Sequence, residues 1–303
     1  MDIKKYLQEK KEIIEEALEK YFSSLPEAGE MEFSASLRKA MQYSLFAGGK
    51  RIRPILSLAA FEAVGGKGDK ILPFACALEM IHTYSLIHDD LPAIDNDDYR
   101  RGKPTCHKVF GEAIGVLAGD ALLTEAFKLM SDCSIQEGFS GNERLILGVI
   151  NEVAQAAGMS GMVGGQVLDV ESAGKEVDPP TIQYIHTHKT GALIAASVKM
   201  GAKIGGAKEK ALGALTSYGE KIGLAFQISD DVLNVEGDAV TLGKSTGSDR
   251  SKGKATYPSV FGLTESKKRA EELVESAVSD LRIFGKEADP LREIARFIIS
   301  RQY

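Results

Sequence analysis

Two short stretches hold the residue types best suited to chemistry. The first, His88–Pro104, places Asp89, Asp90, Asp95, Asp97 and Asp98 directly before Arg100, Arg101 and Lys103, and it follows an almost uncharged run from Ile71 to Ile87. Carboxylates bind hard cations such as Mg²⁺, which keep several waters and bridge to phosphate oxygens. Arg and Lys then take the remaining phosphate charge. The arrangement suits a polyphosphate carried with divalent cations, although a solvated acidic turn is the plainer reading of the same residues. The second stretch, Phe226-Gln227-Ile228-Ser229-Asp230-Asp231, repeats the apolar approach to an Asp pair. Asn234 sits one helical turn after Asp230 on the same face, an arrangement open to cation binding or to helix capping.

Basic residues gather elsewhere. Gly48-Gly49-Lys50-Arg51-Ile52-Arg53-Pro54 puts three cations at a helix end, where they could cradle a diphosphate or complement the helix dipole. It is not a P-loop: GxxxxGK[ST] needs Gly at 44 and Ser or Thr at 51, where Ser44 and Arg51 stand. Gln166 and Asp169 share a helix face. His186 and His188 are two apart, the wrong spacing for two zinc ligands on one helix. Residues 236–256 interleave Gly237, Gly243, Gly247 and Gly253 with Lys244, Arg250, Lys252 and Lys254, a length and composition that suit a binding loop or lid. An EF-hand reading of Asp95–Asp98 fails at Tyr99, and His88 is a poor Mg²⁺ ligand.

The elements that must position these groups read as helices. Ile3, Leu7, Ile14, Leu18 and Phe22 mark an amphipathic helix over 3–22. Further helical patterns cover 33–46, 54–63, 69–90, 111–131, 142–157, 207–234, 264–284 and 290–301, with a fresh start at Asp178-Pro179-Pro180. Strand-like alternation is rare and no βαβ rhythm occurs, so the 303 residues are expected to form one all-α domain, 1–303. A hydrophobic content of 44% with 26% charged residues is ordinary for a globular chain, and a net charge of −6 argues against a generic nucleic-acid binder. The N-terminus shows no signal peptide. No run approaches the ~18 uncharged apolar residues of a convincing membrane span. Cys76, Cys106 and Cys133 lack CxxC spacing and cannot all pair, which favours a reducing, cytoplasmic setting.

Taken together, Gly48–Pro54, the Asp89–Asp95 motif with Arg100-Arg101-Gly102-Lys103-Pro104, Gly165-Gln166-Val167-Leu168-Asp169, Lys189-Thr190 and Phe226–Asp231 resemble the ordered motif set of the short-chain polyprenyl diphosphate synthases, most closely the bacterial farnesyl type. The resemblance covers nearly the whole chain. It implies a single-domain helical bundle around a deep central cavity, with the two Asp motifs facing each other across its mouth. It further implies that Asp89, Asp90, Asp95, Asp230 and Asp231 hold Mg²⁺, typically three ions, which bridge to an allylic diphosphate. Arg100, Lys189, Gln227, Lys244 and Lys254 complete that site by the same resemblance. Lys50, Arg53, His82 and Arg101 match the positions that bind isopentenyl diphosphate, and Lys189, Thr190 and Gln227 match those that stand by the reacting centre. A homodimer is the family's habit.

In this family, bulk upstream of the first Asp motif sets product length. Tyr84 lies about 7.5 Å deeper than Asp89 along a helix axis, with Ser85 one residue nearer, which points to a C15 rather than a C20 or C10 product. The second motif departs from the family pattern, with Asn234 where an Asp is usual. A terpene cyclase would not need Lys50, Arg53 and Arg101 together, and its Asn/Asp-x-x-Ser/Thr-x-x-x-Glu pattern is absent after Asp230. A non-catalytic prenyltransferase subunit would carry a degraded Asp motif, whereas the first motif here is intact. Six residues at about 100° each would leave Asp89 and Asp95 roughly 120° apart on a straight helix. Pro92 therefore predicts a loop that brings Asp95 back beside Asp89, and Asp97 and Asp98 are expected to be turn and solvent residues.

Overall fold

A computed structural model describes residues 1–25, 35–132, 141–236 and 254–300. Their contacts sort into two compact units: one of residues 7–55 and 72–146, the other of residues 1–6, 56–71 and 147–303. Both are built from helices, as the missing strand alternation predicted.

The first unit is organised around α4, in chain order the fourth helix after α1 (Ile3–Ser24), α2 (Ala35–Leu45) and α3 (Ile52–Ala63). α4 (Leu72–Asp89) buries every residue from Phe74 to Ile81. A helix apolar on all sides needs neighbours on all sides. One is α6 (Glu112–Asp132), which follows the short α5 (Cys106–Phe110) and presents the small buried residues Gly115, Ala118, Gly119 and Ala126. Small residues four apart let two helix backbones approach closely. α1 supplies Ile14, Leu18 and Phe22, fully or nearly fully buried at helical spacing. A two-stranded antiparallel hairpin, β1 (Tyr99–Arg100) and β2 (Lys103–Pro104), pairs Arg100 with Lys103. The helical periodicity gave no hint of it.

The second unit is organised around α11 (Glu209–Glu236). It includes α7 (Glu143–Ala157), α8 (Met162–Ser172), α9 (Pro179–Ile185) and α10 (Ala192–Ile204). After α11 come α12 (Tyr257–Phe261), α13 (Leu263–Asp280) and α14 (Asp289–Ser300). α11 packs on α10 and α13, and the buried Tyr218 hydroxyl donates to the Leu291 carbonyl on α14 at 2.6 Å. Asp178 caps α9 by accepting from Thr181 N–H at 2.9 Å, with prolines in the first turn. Between α9 and α10 the chain keeps winding but widens into a π-helix, His186–Gly191. Glu143–Ser172 is long and apolar enough to cross a membrane by length and composition, with a mean hydropathy of 1.2. It is folded as α7 and α8, helices of 15 and 11 residues, each short of the roughly 20 that a span needs.

Candidate active site

The first Asp motif begins at the last residue of α4, Asp89. Beyond it the chain turns: Leu91 N–H donates to the His88 carbonyl at 3.1 Å, and Ile94 N–H to the Leu91 carbonyl at 2.9 Å. Asp95 N–H then donates to the Asp89 carbonyl at 2.8 Å. The loop that Pro92 predicts therefore forms and returns Asp95 to Asp89. Asn96, at φ 51°, and a bond from Asp97 N–H to the Asp90 carbonyl at 3.2 Å finish the turn. Asp98 is exposed, and its hydrogen bond and charge pairing with Lys108, 2.7 Å away, hold its carboxyl below the usual range.

Asp90 differs from its neighbours. It is buried, and Arg100 grips both of its oxygens, with Nε at 2.7 and 2.8 Å and Nη2 at 2.5 Å. Its carboxylate orients Arg100 by a forked, charge-assisted contact. The β1–β2 hairpin makes this possible. Its two loop residues, Arg101 and Gly102, have φ of 53° and 74°, the left-handed pair that tight two-residue hairpins use. Arg101 in turn donates to the Gly48 carbonyl. A Cβ on Gly49, whose φ is 124°, would lie 2.6 Å from the Arg101 guanidinium carbon, so only glycine leaves room for that side chain.

The three cations after Gly49 do not act alike. Lys50 is exposed and Arg53 half-buried, but Arg51 points inward. Its guanidinium donates to Glu79 Oε1 and to the Leu45 carbonyl, each at 2.7 Å, and Glu15 stands 3.5 Å from Nε. Arg51 thus joins α4 to the glycine turn and is not part of a diphosphate cradle. Burial and the positive charges of Arg53, Arg101, Arg100 and Arg51 hold the His82 pKa well below its ordinary value, so this imidazole is neutral among cations. Tyr84 is buried, and burial followed by the Asp89 charge pushes its hydroxyl pKa to about 12. Its ring meets His88 edge-on at 5.6 Å. Ser85 donates to the His82 carbonyl at 2.9 Å.

In the second unit, glycines let three backbones touch. A Cβ on Gly165 of α8 would fall 2.2 Å from Lys189 N, and one on Gly223 of α11 would fall 2.7 Å from Gly191 Cα. The π-helix thus lies against both α8 and α11. Lys189 Nζ donates to Asp169 Oδ2 at 2.6 Å, and Lys254 Nζ is 3.8 Å from the same oxygen. Thr190 Oγ1 donates to Gln227 Oε1 at 2.7 Å, and Gln227 Nε2 to Asp231 Oδ1 at 2.8 Å. Asp231 Oδ2 accepts from His186 Nε2 and from Tyr257 N–H, both at 2.7 Å. Three donors therefore hold both oxygens of this buried residue. Asp231 is thereby the junction of α11, the π-helix and α12. Asp230 and Asn234 are half-buried on α11. A cleft of ≈ 80 Å³ is lined by Asp169, Lys189, Thr190, Gln227, Asp231 and Lys254 among others.

Lys189, Thr190, Gln227 and Lys254 thus line one cleft, while Lys244 lies outside the described residues. Sequence reasoning missed Asp169, His186 and the Tyr257 N–H as members of this network. Asp169 had a visible signal, its place three residues after Gln166. His186 had none, because its partner is 45 residues away. Among the described residues no three His, Cys, Asp or Glu side chains converge on one point. Mg²⁺ does not require such a cage, since it commonly takes one or two protein carboxylates and completes its shell with water and substrate phosphate. The oxygen-only donors Asp89, Asp95 and Asp230 fit that chemistry.

The family model described as Polyprenyl synthetase matches residues 34–288. A geranylgeranyl diphosphate synthase of Cyanophora paradoxa is 50% identical over 297 residues, 98% of this chain and 95% of its own. A farnesyl diphosphate synthase of Geobacillus stearothermophilus is 46% identical over 303 residues, 100% of this chain and 99% of its own. Among solved structures, an FPP/GFPP synthase from Zymomonas mobilis superposes with a TM-score of 0.84 at 39% identity, covering 96% of this chain and 98% of that one. The protein belongs to the polyprenyl synthetase family, enzymes that elongate isoprenoid chains by head-to-tail prenyl transfer.

Proposed function

We propose that this enzyme condenses isopentenyl diphosphate with an allylic diphosphate, and that Tyr84 decides where elongation stops. The observation that carries the first part is the arrangement around His82, where cations surround a neutral ring beside a glycine turn open to Arg101. The cations take the charge of a diphosphate, and the neutral ring can donate one N–H to it. Lys50, Arg53, His82 and Arg101 take the isopentenyl diphosphate. Arg100, Lys189, Gln227, Lys254 and Lys244 take the allylic one.

Asp89, Asp95 and Asp230 would hold Mg²⁺, which when bound neutralises the departing diphosphate of the allylic substrate. Arg100 is held by Asp90 and Lys189 by Asp169, so each is a fixed positive charge suited to an anionic leaving group. The Thr190 and Gln227 oxygens stabilise positive charge developing on the allylic carbons. The apolar surface of α4 keeps water from that carbon. The isopentenyl double bond attacks, and the released diphosphate removes the proton, so no side-chain base is needed.

Two observations pull product length in different directions. Tyr84, buried five residues before Asp89, favours C15. The relatives' names favour the longer product more, since the one at 50% identity is a geranylgeranyl synthase. Incubation with Mg²⁺, isopentenyl diphosphate and dimethylallyl diphosphate, followed by phosphatase, separates the readings: farnesol supports C15 and geranylgeraniol supports C20. No prenyl alcohol at all refutes both. In either case Tyr84→Ala lengthens the product, and an unchanged product removes Tyr84 from the role.

A homodimer in a reducing compartment fits this reading. Val116 and Leu117 on α6 are exposed, as are Val163, Val167 and Val170 on α8, apolar surface of the kind that self-association covers. Cys76 and Cys106 are buried and not joined in a disulfide.

A further inference from the structure

We infer that Gly119 on α6, acting through His88, fixes the position of the Tyr84 ring and so helps set product length. The inference rests on the role proposed for Tyr84 and extends the determinant to a second helix. His88 follows Tyr84 by one helical turn, so the two side chains share a face of α4. Their rings meet edge-on, with centroids 5.6 Å apart and planes at 83°, a geometry in which the edge of one ring supports the other. His88 is itself fixed from the far side. Its Nε2 lies 3.0 Å from the Val116 carbonyl on α6. A carbonyl only accepts, so Nε2 carries the proton and donates. Asp120 Oδ1 stands 3.8 Å from the same nitrogen.

Gly119 makes room for this ring. A Cβ there would lie 2.2 Å from His88 Nε2 and 2.5 Å from Cδ2, far inside contact distance. Gly119 lies in the interior of a helix, where Gly is less favourable than Ala. Local helix stability therefore favours Ala, and the requirement for Gly comes from His88. The chain of contact runs from the α6 backbone to His88 and on to Tyr84.

Moving the imidazole by either of two routes frees the Tyr84 ring. Gly119→Ala displaces it, and His88→Ala removes it. Both variants are expected to raise the proportion of product one isoprene unit longer by at least threefold, compared at equal substrate consumption. Tyr84→Ala lengthens the product by itself, and adding Gly119→Ala to it is expected to cause no further change. That lack of additivity separates a positioning role from general loosening of the fold, and thermal melts of each variant establish that it is folded. If Tyr84→Ala lengthens the product but neither Gly119→Ala nor His88→Ala does, the relay is wrong and the reading of Tyr84 stands. If Gly119→Ala shifts length equally with and without Tyr84, the relay is also wrong. If Tyr84→Ala leaves length unchanged, both ideas fall.

Discussion

Asp231 offers the sharpest test of how the second Asp pair divides its work. If it is a junction, its loss should cost stability as well as rate. Asp231→Ala strands three buried donors: Gln227 Nε2, His186 Nε2 and Tyr257 N–H, all within 2.8 Å of the carboxylate. Each unsatisfied donor costs roughly 1–3 kcal/mol, before any relief from entering water. A loss of about 4 kcal/mol is therefore expected. Asp231→Asn keeps one oxygen, which can serve His186 and Tyr257. Its new amide group meets Gln227 Nε2, and a flip of Gln227 restores that bond, because the Thr190 hydroxyl can accept as well as donate. The flip should limit the cost to about 1–2 kcal/mol, mainly the lost charge. Asp230 is half-buried where Asp231 is buried, so Asp230→Ala should cost clearly less stability than Asp231→Ala, while turnover falls steeply. Urea unfolding followed by circular dichroism, with prenyl transfer measured on the same samples, reads all three. Equal stability losses for Asp230→Ala and Asp231→Ala would refute the division, as would an Asp231→Ala variant of unchanged midpoint.

Two further predictions concern the first unit. Gly49→Ala puts a methyl 2.6 Å from the Arg101 guanidinium carbon at a φ of 124°. It should raise KM for isopentenyl diphosphate about 10- to 100-fold, the equivalent of one charge-assisted hydrogen bond, and an unchanged KM would remove Arg101 from that substrate. His82 is neutral in the folded protein, its pKa lowered by burial and then by the surrounding arginines. The unfolded chain binds that proton once pH falls below about 6.5. Stability should therefore be complete above that pH and decline below it, by up to about 1.4 kcal/mol per pH unit until the folded pKa is reached. His82→Asn should flatten that slope, and an unchanged slope between pH 6.5 and 5 would show that other groups cause it.

What could be read directly from the chain was whatever depends on near neighbours. The 3–22 periodicity gave α1, Asp178-Pro179 gave the start of α9, and Pro92 gave the loop that returns Asp95 to Asp89. What stayed hidden depends on contacts distant in sequence. Arg51 looks like its neighbours Lys50 and Arg53, and Glu79, 28 residues on, with the Leu45 carbonyl and Glu15, draws it inside. Asp90 and Asp231 look like metal ligands beside Asp89 and Asp230. In an Asp pair, neighbouring side chains diverge by about 100° on a helix, so one can take an open position while the other is committed to the interior. The hairpin was invisible because its strands are two residues each, too short for any alternation to register.

The π-helix at His186–Gly191 makes chain length part of the site. A π segment holds one residue more than the same stretch of α-helix, and here that widening carries Lys189 to Asp169 and Thr190 to Gln227. Removing one residue would rotate everything beyond it by about 100°. The buried face of α10 could then stay packed only by turning His186, Lys189 and Thr190 away from their partners. These residues thus carry a constraint unlike that on the surrounding helices. Substitutions can be tried one position at a time, but the number of residues between α9 and α10 cannot drift by single steps. Homologous chains that diverge freely in side chains should still keep the same count there.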